Sequence, residues 1–516
     1  MSNAVSAIDY HERTKHTPRS VRSGSGLDFD NKPRPYKSYN GVPTVSLADA
    51  IRDPAMPALH AVATQPPPDT DASTSFDRAT LAGLCYYAAG ITKSIRRHGQ
   101  NYHFRAAACT GALYHIDLYL VCGDLDDLDD GVYHYDPRTE SLDMLRDGDY
   151  RGVLVKASRD PAVTRAPVTF VVTSTWWRNA WKYGARTYRH AFWDSGTVLA
   201  NLVAAAHALD RPATIVSGFA DDPVATLLGI DPEWEAPLEL VPVGVGAPVA
   251  RSSGTSAVEP IDPPTEPLAS DPIAYPLIHQ AWTGSTLSAG TAAQAWRTRG
   301  ERPVDGRRPG DGDRVELDPV GPDTASTRPL HTTIRRRGSC RAYERDTLSF
   351  RKLSTVLDRA TRGVPMDVRA DDGDSGTGAA LQFVDCYCIV NGVADLEPGA
   401  YQYHPDAGEL ERIHAGESRQ AARHLALDQQ LGADAAVCIY FLADLDAVTD
   451  ALGNRGYRVA QLEAALTAGR LYLSTYAHRD LGGTGLTFFD DVVTDFFEPR
   501  AAGQTPIFLY TLGRPA

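Results

Sequence analysis

The chain has 516 residues, 43% hydrophobic and 22% charged, a balance that excludes wholesale disorder and a length beyond one ordinary hydrophobic core. Its formal net charge of −14 argues against a general nucleic-acid binder, which needs clustered Lys and Arg, and against adhesion to anionic membranes.

The opening stretch MSNAVSAIDYHERTKHT lacks the apolar centre of a secretory signal. LAGLCYYAAG then predicts a helix. The small-residue loop RAAACTG (105–111) leads into ALYHIDLYLVCG, a predicted strand. The acidic run 124–130 lacks the calcium-loop pattern and reads as a solvated turn. VTFVVTST predicts a strand, and WWRNAWKYGARTYRH sets Lys182 beside Tyr183. SGTVLANLVAAAHAL predicts a long helix, with His207 a satisfied core histidine, and PLELVPVG predicts a strand. The longest largely apolar stretch, 197–209, holds Asn201 and His207 and is too short for a bilayer.

Residues 245–272 and 298–329 are rich in Pro and Gly and make a poor core. Between them IAYPLIHQAW is predicted to dock as a helix. RRRGSCRAY (335–343) precedes the helical pattern TLSFRKLSTVLDRAT. Predicted strands follow in LQFVDCYCIVNG, AAVCIYFLA and PIFLYTLG, with VAQLEAALTAGRLYLSTYAH as a second long helix. The seven cysteines (Cys85, Cys109, Cys122, Cys340, Cys386, Cys388, Cys438) are odd in number and scattered. They point to reduced thiols and a cytoplasmic location.

The chain repeats itself. GVYHYDP at Gly131 matches GAYQYHP at Gly399; Tyr188-Arg189 matches Tyr457-Arg458; PLELVPVG from Pro237 matches PIFLYTLG from Pro506. The spacing is nearly constant, so two homologous α+β domains are expected. We place them at residues 1–248 and 331–516, joined by a linker, 249–330, that carries the docking helix.

Three segments carry candidate chemistry. The guanidiniums and Ser339 of RRRGSCRAY, at the approach to a helix, suit an anion. The loop before the first strand admits a flat ligand or another backbone closely. Lys182 beside Tyr183 suits proton transfer in a partly dry pocket. Each has a plainer reading: a solvated basic turn, a tight turn, and a surface Lys beside a core Tyr. No dinucleotide fingerprint, phosphate-binding Walker loop or G-x-S-x-G elbow is present. No His/Cys set stands at zinc spacing, so no metal site is expected.

Taken together, these segments resemble the SagB-type (thiazole/oxazole azoline) dehydrogenases of the nitroreductase superfamily, in a tandem form. RAAACTGALYHIDLYLV resembles the core motif R-A-A-P-S-A-G-A-L-Y-P, GVYHYDP the next hairpin, and YGARTYRHAFWDSGTVLANLVAAAHAL the central helix. RRGSCRAY resembles the flavin-phosphate motif R-R-S-x-R-x-F. The resemblance implies two nitroreductase-like domains forming an intramolecular pseudo-dimer with FMN at their interface. It implies that Arg337, Gly338, Ser339 and Arg341 hold the phosphate side, with Arg514 as a second contact. Ala108, Cys109, Thr110 and Gly111 would approach the ring system. Gly218-Phe219 and the stretch 485–488 would line a flavin face, and Lys182 and Tyr183 would move the proton.

The first half lacks the phosphate motif, and Asn454-Arg455 stands where the first half has Lys182-Tyr183. One FMN site per chain is therefore expected. The implied reaction is oxidation of a peptide-derived substrate, azoline to azole, with a cyclodehydratase-type partner in peptide natural-product biosynthesis. Two alternatives stand beside it. One is a nitroreductase-like enzyme acting on a small molecule. The other is a flavin-free scaffold that recruits a peptide or a partner synthetase, favoured by Ala108-Cys109 in place of Pro-Ser and by Gly338 in place of the second motif Arg.

Overall fold

The computed structural model describes residues 4–22, 26–63, 76–97, 99–249, 258–299, 310–321, 328–363, 365–368 and 381–516. Two antiparallel sheets are built to one plan. In the first, Ile116–Cys122 lies between Gly131–Asp136 and Val168–Thr175. Ser141–Asp147 and Thr44–Ser46 extend one side, and Glu235–Val243 closes the other. In the second, Asp385–Val390 lies between Gly399–His404 and Val437–Ala443. Glu409–Ala415 and Arg314–Glu316 extend one side and Thr505–Pro515 the other, where Gly482–Leu486 and Tyr343–Glu344 add to it. The central strands are buried on both faces and therefore read as continuous apolar runs.

A long helix packs on each sheet: Thr187–Ala208 in the first half and Asn454–Ala477 in the second. Both are buried almost throughout, because each lies on its sheet and also against its counterpart. The crossing needs small residues. A Cβ on Gly196 would stand 2.7 Å from that of Ala465, and one on Gly469 would stand 2.5 Å from that of Ala200. Each of these contacts joins positions related by the repeat spacing. Tyr188 and Tyr457, another related pair, stack with ring planes 2° apart and centroids 6.4 Å apart. The halves thus meet across a pseudo-twofold axis.

Two buried ionic clusters flank that axis. Asp490 of the second half binds Arg189 at 2.6 Å, on the first long helix, and Arg186 at 3.1 Å, just before its first turn. Asp221 of the first half binds Arg455 at 2.6 Å and Arg458 at 2.8 Å, both on the second. The two arginines hold the Asp490 carboxyl below the usual range despite its burial. Each cluster is roofed by a short helix. Ala7–Arg13 leads to Thr14, which accepts from Arg189 Nε at 3.0 Å. Pro276–Gly284 leads to Ser285, which accepts from Arg458 Nε at 2.9 Å. The latter helix lies in the stretch read as linker, and buries Ile278, Ala281 and Trp282.

Two further departures from the sequence reading concern short or displaced elements. Arg314–Glu316, within the Pro/Gly-rich piece, pairs with Glu409–Ala415 as an edge strand. Three residues with two exposed carry no apolar pattern to read. RRRGSCRAY begins in the last turn of the helix Leu330–Arg336, well ahead of Phe350–Thr361.

Beneath the first long helix, Glu239 is fully buried. Ser195 Oγ donates to its Oε1 at 3.1 Å, while Oε2 has no partner among the described residues. Burial pushes its carboxyl up to about 8.

Asp490→Asn should leave two buried arginines undercompensated and cost about 3–5 kcal/mol in urea denaturation. Glu239 predicts a pH dependence of opposite kind. In the unfolded chain it ionises near the ordinary carboxyl value of about 4.3, in the fold only near about 8. Stability is full below the lower value and falls as pH rises through this window. Glu239→Gln should therefore hardly change Tm near pH 4 and raise it increasingly up to pH 8; an equal change at both ends would contradict this.

Candidate functional site

The loop 108–111 is fastened by one carboxylate. Asp194, buried in the first long helix, accepts at Oδ1 from Thr110 N at 2.9 Å and Thr110 Oγ1 at 2.8 Å. Its Oδ2 accepts from Cys109 Sγ at 3.1 Å and lies 2.8 Å from His115 Nε2. The other nitrogen of His115 meets Ser174 Oγ at 2.8 Å. Thr197 Oγ1, one helical turn on from Asp194, donates to Ala108 O at 2.7 Å. Burial first, and then the Asp194 charge, push the Cys109 thiol well up. Cys109 is therefore a protonated donor and not a nucleophile.

Cys109, His115 and Asp194 bring ligand atoms within 4.8 Å of one another. This donor set can hold a divalent metal, and the sequence reading found none because the three come from a loop, a strand entry and a distant helix. In this structure their polar atoms are already paired with each other and with Thr110 and Ser174.

Gly111 has φ of +65° and carries no Cβ; one there would lie 2.8 Å from Tyr183 Oη. Tyr183 thus stands against the loop, its ring edge-on to His190 at 4.7 Å. Burial first, then Asp194 and Cys109, push its phenol above the usual range. Lys182 points to solvent, with Nζ 5.1 Å from the Tyr183 ring centre.

The second half supplies the facing wall. Arg337 Nε donates to Ala106 O at 2.9 Å, and its Nη2 to Arg105 O at 2.9 Å and Ala107 O at 3.2 Å. Its guanidinium lies 5.7 Å from the Tyr472 ring centre. Arg337 therefore pins the backbone leading into the first-half loop. Gly338 faces open space, where a Cβ would meet only Tyr476 Oη at 3.9 Å. Ser339 is half-buried and Arg341 exposed, and among the described residues neither side chain has a hydrogen-bond or ion-pair partner. Cys340 N donates to Gly483 O at 3.1 Å, which sets this segment beside Gly482–Leu486. Phe488, just beyond, packs near Trp193 of the first half at 6.0 Å. Arg514 is half-exposed and paired with Asp346 at 2.8 Å and Glu344 at 3.4 Å.

Gly218 does not join this crevice. It is the repeat counterpart of Thr487 and lies in the mirror-related crevice. There Asp367 accepts from Ser217 N at 2.8 Å and Gly218 N at 2.9 Å. Arg297 donates to Gly218 O at 2.6 Å and stands 3.6 Å from Asp367. Residues 365–367 are held there by two backbone bonds to Ile215. Burial pushes Asp367 up to about 6.

A second correction concerns the Lys-Tyr counterpart. Gly184 and Gly453 both take positive φ between a short helix and the long one. Lys182-Tyr183 therefore corresponds to Ala451-Leu452, while Arg455 matches Arg186. The repeat counterpart of the loop before the first strand, DSGTG (374–378), lies outside the described residues. Past it, Glu463, the counterpart of Asp194, accepts from Gln382 N at 2.8 Å and Phe383 N at 2.7 Å.

Asp194 and His115 were missed as site residues. Their available signal was an Asp within a helix buried almost throughout, a type almost never buried unpaired, and a His at a strand entry.

The Nitroreductase family model matches residues 65–245 and 334–503. A Methanocaldococcus jannaschii protein named as a nitroreductase is 28% identical over 165 residues, 32% of this chain and 78% of its own. A crystal structure of an Anabaena variabilis protein, titled as a nitroreductase, superposes with a TM-score of 0.77 at 25% identity and covers 99% of each chain. A chain of the E. coli microcin synthetase McbBCD complex, solved with a truncated pro-peptide bound, aligns at a TM-score of 0.29 and 18% identity, over 47% of this chain and 88% of that one.

Gly111→Ala should cost about 1–2 kcal/mol for the left-handed backbone, plus the displacement of Tyr183. Combined with Tyr183→Phe, which removes the nearest atom, the two changes should be less than additive in urea denaturation. Strict additivity would place Tyr183 away from the loop.

Proposed function

We infer, from a chain that belongs to the nitroreductase family, that it is an FMN-dependent SagB-type dehydrogenase with one cofactor site. The observation carrying this reading is the inequality of two crevices built to one plan. One has a hydroxyl and a guanidinium, Ser339 and Arg341, without partners among the described residues, beside a wall pinned by Arg337. The donor set there fits a phosphate-bearing group. Among the described residues of the mirror crevice, the Asp367 carboxylate already takes the Ser217 and Gly218 N–H groups and would repel an anion.

FMN bound in the first crevice supplies a two-electron acceptor for substrate oxidation. The chain's own residues do the rest. Ser339 and Arg341 bind the phosphate side. Ala108 to Gly111 form a thin wall, fixed by Asp194, that a flat group can approach. Cys109 keeps its proton and so does not compete as a nucleophile. Tyr183 holds a proton at Oη beside Gly111 and orients the substrate by donating it in a hydrogen bond. The carbon-bound proton that oxidation releases would leave to water by way of Lys182 Nζ, which is exposed and 5.1 Å from the Tyr183 ring centre.

The resemblance of RAAACTGALYHIDLYLV and Lys182-Tyr183 to the SagB-type pattern supports a peptide-derived substrate, azoline to azole. A cyclodehydratase-type enzyme would make the azoline, and dioxygen would be the final oxidant. The same cleft would serve a nitroreductase-like reaction on a small molecule if the peptide assay below fails while flavin is present.

The test is the visible spectrum of the purified protein, with flavin quantified after denaturation. About one FMN per chain is expected, lost on combining Ser339→Ala with Arg341→Ala. Tyr183→Phe should keep the flavin and slow azole formation from an azoline peptide roughly a hundredfold. Two FMN per chain would refute the unequal crevices, and none after incubation with excess FMN would leave the scaffold reading.

A further inference from the structure

We propose that the hairpin Ile91–Arg97 and Gln100–Arg105 is a docking edge for an acidic peptide in extended conformation. The two strands form a sheet of their own and join neither large sheet. Apart from Arg105 at the base, whose N–H donates to Tyr114 Oη, the outer edges have no strand partner among the described residues, the arrangement that strand addition uses. Pro35 and Tyr36 pack at the base of the hairpin, against Arg105 and His103; among the described residues no strand covers the rest of its edge.

The charge of the hairpin names the partner. Residues 91–105 hold Lys93, Arg96, Arg97 and Arg105 and no Asp or Glu, within a chain of net charge −14. Lys93 and Arg96 are exposed, and among the described residues neither has an ion-pair partner. Pairing sets Lys93 with Phe104 and Ile95 with Tyr102 on one face, and Arg96 with Asn101 on the other. Tyr102 is 43% exposed. One face thus offers an apolar strip beside a cation, the other a second cation. An alternating acidic and apolar strand complements both. A nucleic acid would gain few phosphate contacts here and be repelled by the rest of the chain.

The hairpin also leads to the cleft. Its base is closed by Ala106 N donating to Gly90 O at 2.8 Å, and Arg105 Nη2 donates to Pro35 O at 2.8 Å. The carbonyls of residues 105–107 are those pinned by Arg337, and loop 108–111 follows directly. A strand added along this edge is thereby aimed at Gly111 and Tyr183. This inference rests on the peptide reading above and extends it to the chemistry of the peptide.

The test needs no cofactor turnover. A fluorescein-labelled peptide of about twelve alternating Glu and Val residues is titrated with the full chain and followed by anisotropy. Its Lys-Val analogue and a single-stranded oligonucleotide of similar length are run beside it. The Glu-Val peptide should bind saturably, more weakly at high salt, and roughly tenfold or more weakly to K93E/R96E. R351E, which alters an exposed arginine elsewhere, should bind as the parent does. Hydrogen exchange should slow in residues 91–105 when the peptide is added. No saturable binding, equal binding by K93E/R96E, equal binding of the oligonucleotide, or protection confined elsewhere would each overturn the proposal. Flavin content of K93E/R96E should match the parent. Peptide binding by a chain that holds no flavin would sink the cofactor reading and leave the docking edge standing.

Discussion

Each half of this chain supplies the carboxylate that neutralises two buried arginines of the other. Asp490 meets Arg186 and Arg189, and Asp221 meets Arg455 and Arg458, all with almost no exposed side-chain surface. A guanidinium in such a place is tolerated only when paired. Neither half can therefore bury its own long helix without the other. The exchange fixes the helix crossing to within the reach of a hydrogen bond, and the Gly196–Ala465 and Ala200–Gly469 contacts leave no room for a different one. The crevices on either side of the axis are consequences of that crossing. The loop at 108–111 hangs from Asp194 on one long helix, and the wall opposite rests on Tyr472 of the other.

Within this common frame the two crevices have diverged in charge. Around loop 108–111 the second half contributes arginine and hydroxyl groups. Around Gly218 it contributes an aspartate, with Arg297 from the connecting stretch closing over it. The same backbone geometry thus presents donors outward in one place and satisfies them internally in the other. Arg337 is the sharpest case of a motif residue used differently from its expected part, since its guanidinium is occupied by three carbonyl oxygens.

Much of the frame was legible because repetition and burial leave strong marks. GVYHYDP and GAYQYHP are matching strands beside the central ones, and both long helices showed their apolar period. The loop lies against Tyr183, and Arg337 of RRRGSCRAY reaches the backbone that leads into it. What stayed hidden was set by contacts between distant residues. Nothing local assigns Gly218 to one crevice or the other, because two crevices of one plan draw on identical backbone positions. The Lys-Tyr counterpart was shifted because a shared turn at Gly184 and Gly453, and not sequence likeness, sets the alignment there. Asp194 and His115 became site residues only when the fold brought them to Cys109. The edge strand Arg314–Glu316 is too short and too polar to announce itself.

The strap at Asp367 has a further consequence for how such a molecule can arise. In a pair of identical subunits, every residue is written twice, so a carboxylate that fills one crevice fills both and the assembly has no open cleft left. When the two copies are distinct stretches of one chain, a carboxylate such as Asp367 can stand in one crevice without standing in its twin. Encoding both halves in one chain is therefore what lets Asp367 take the Ser217 and Gly218 N–H groups of one crevice without a second copy doing so in the other.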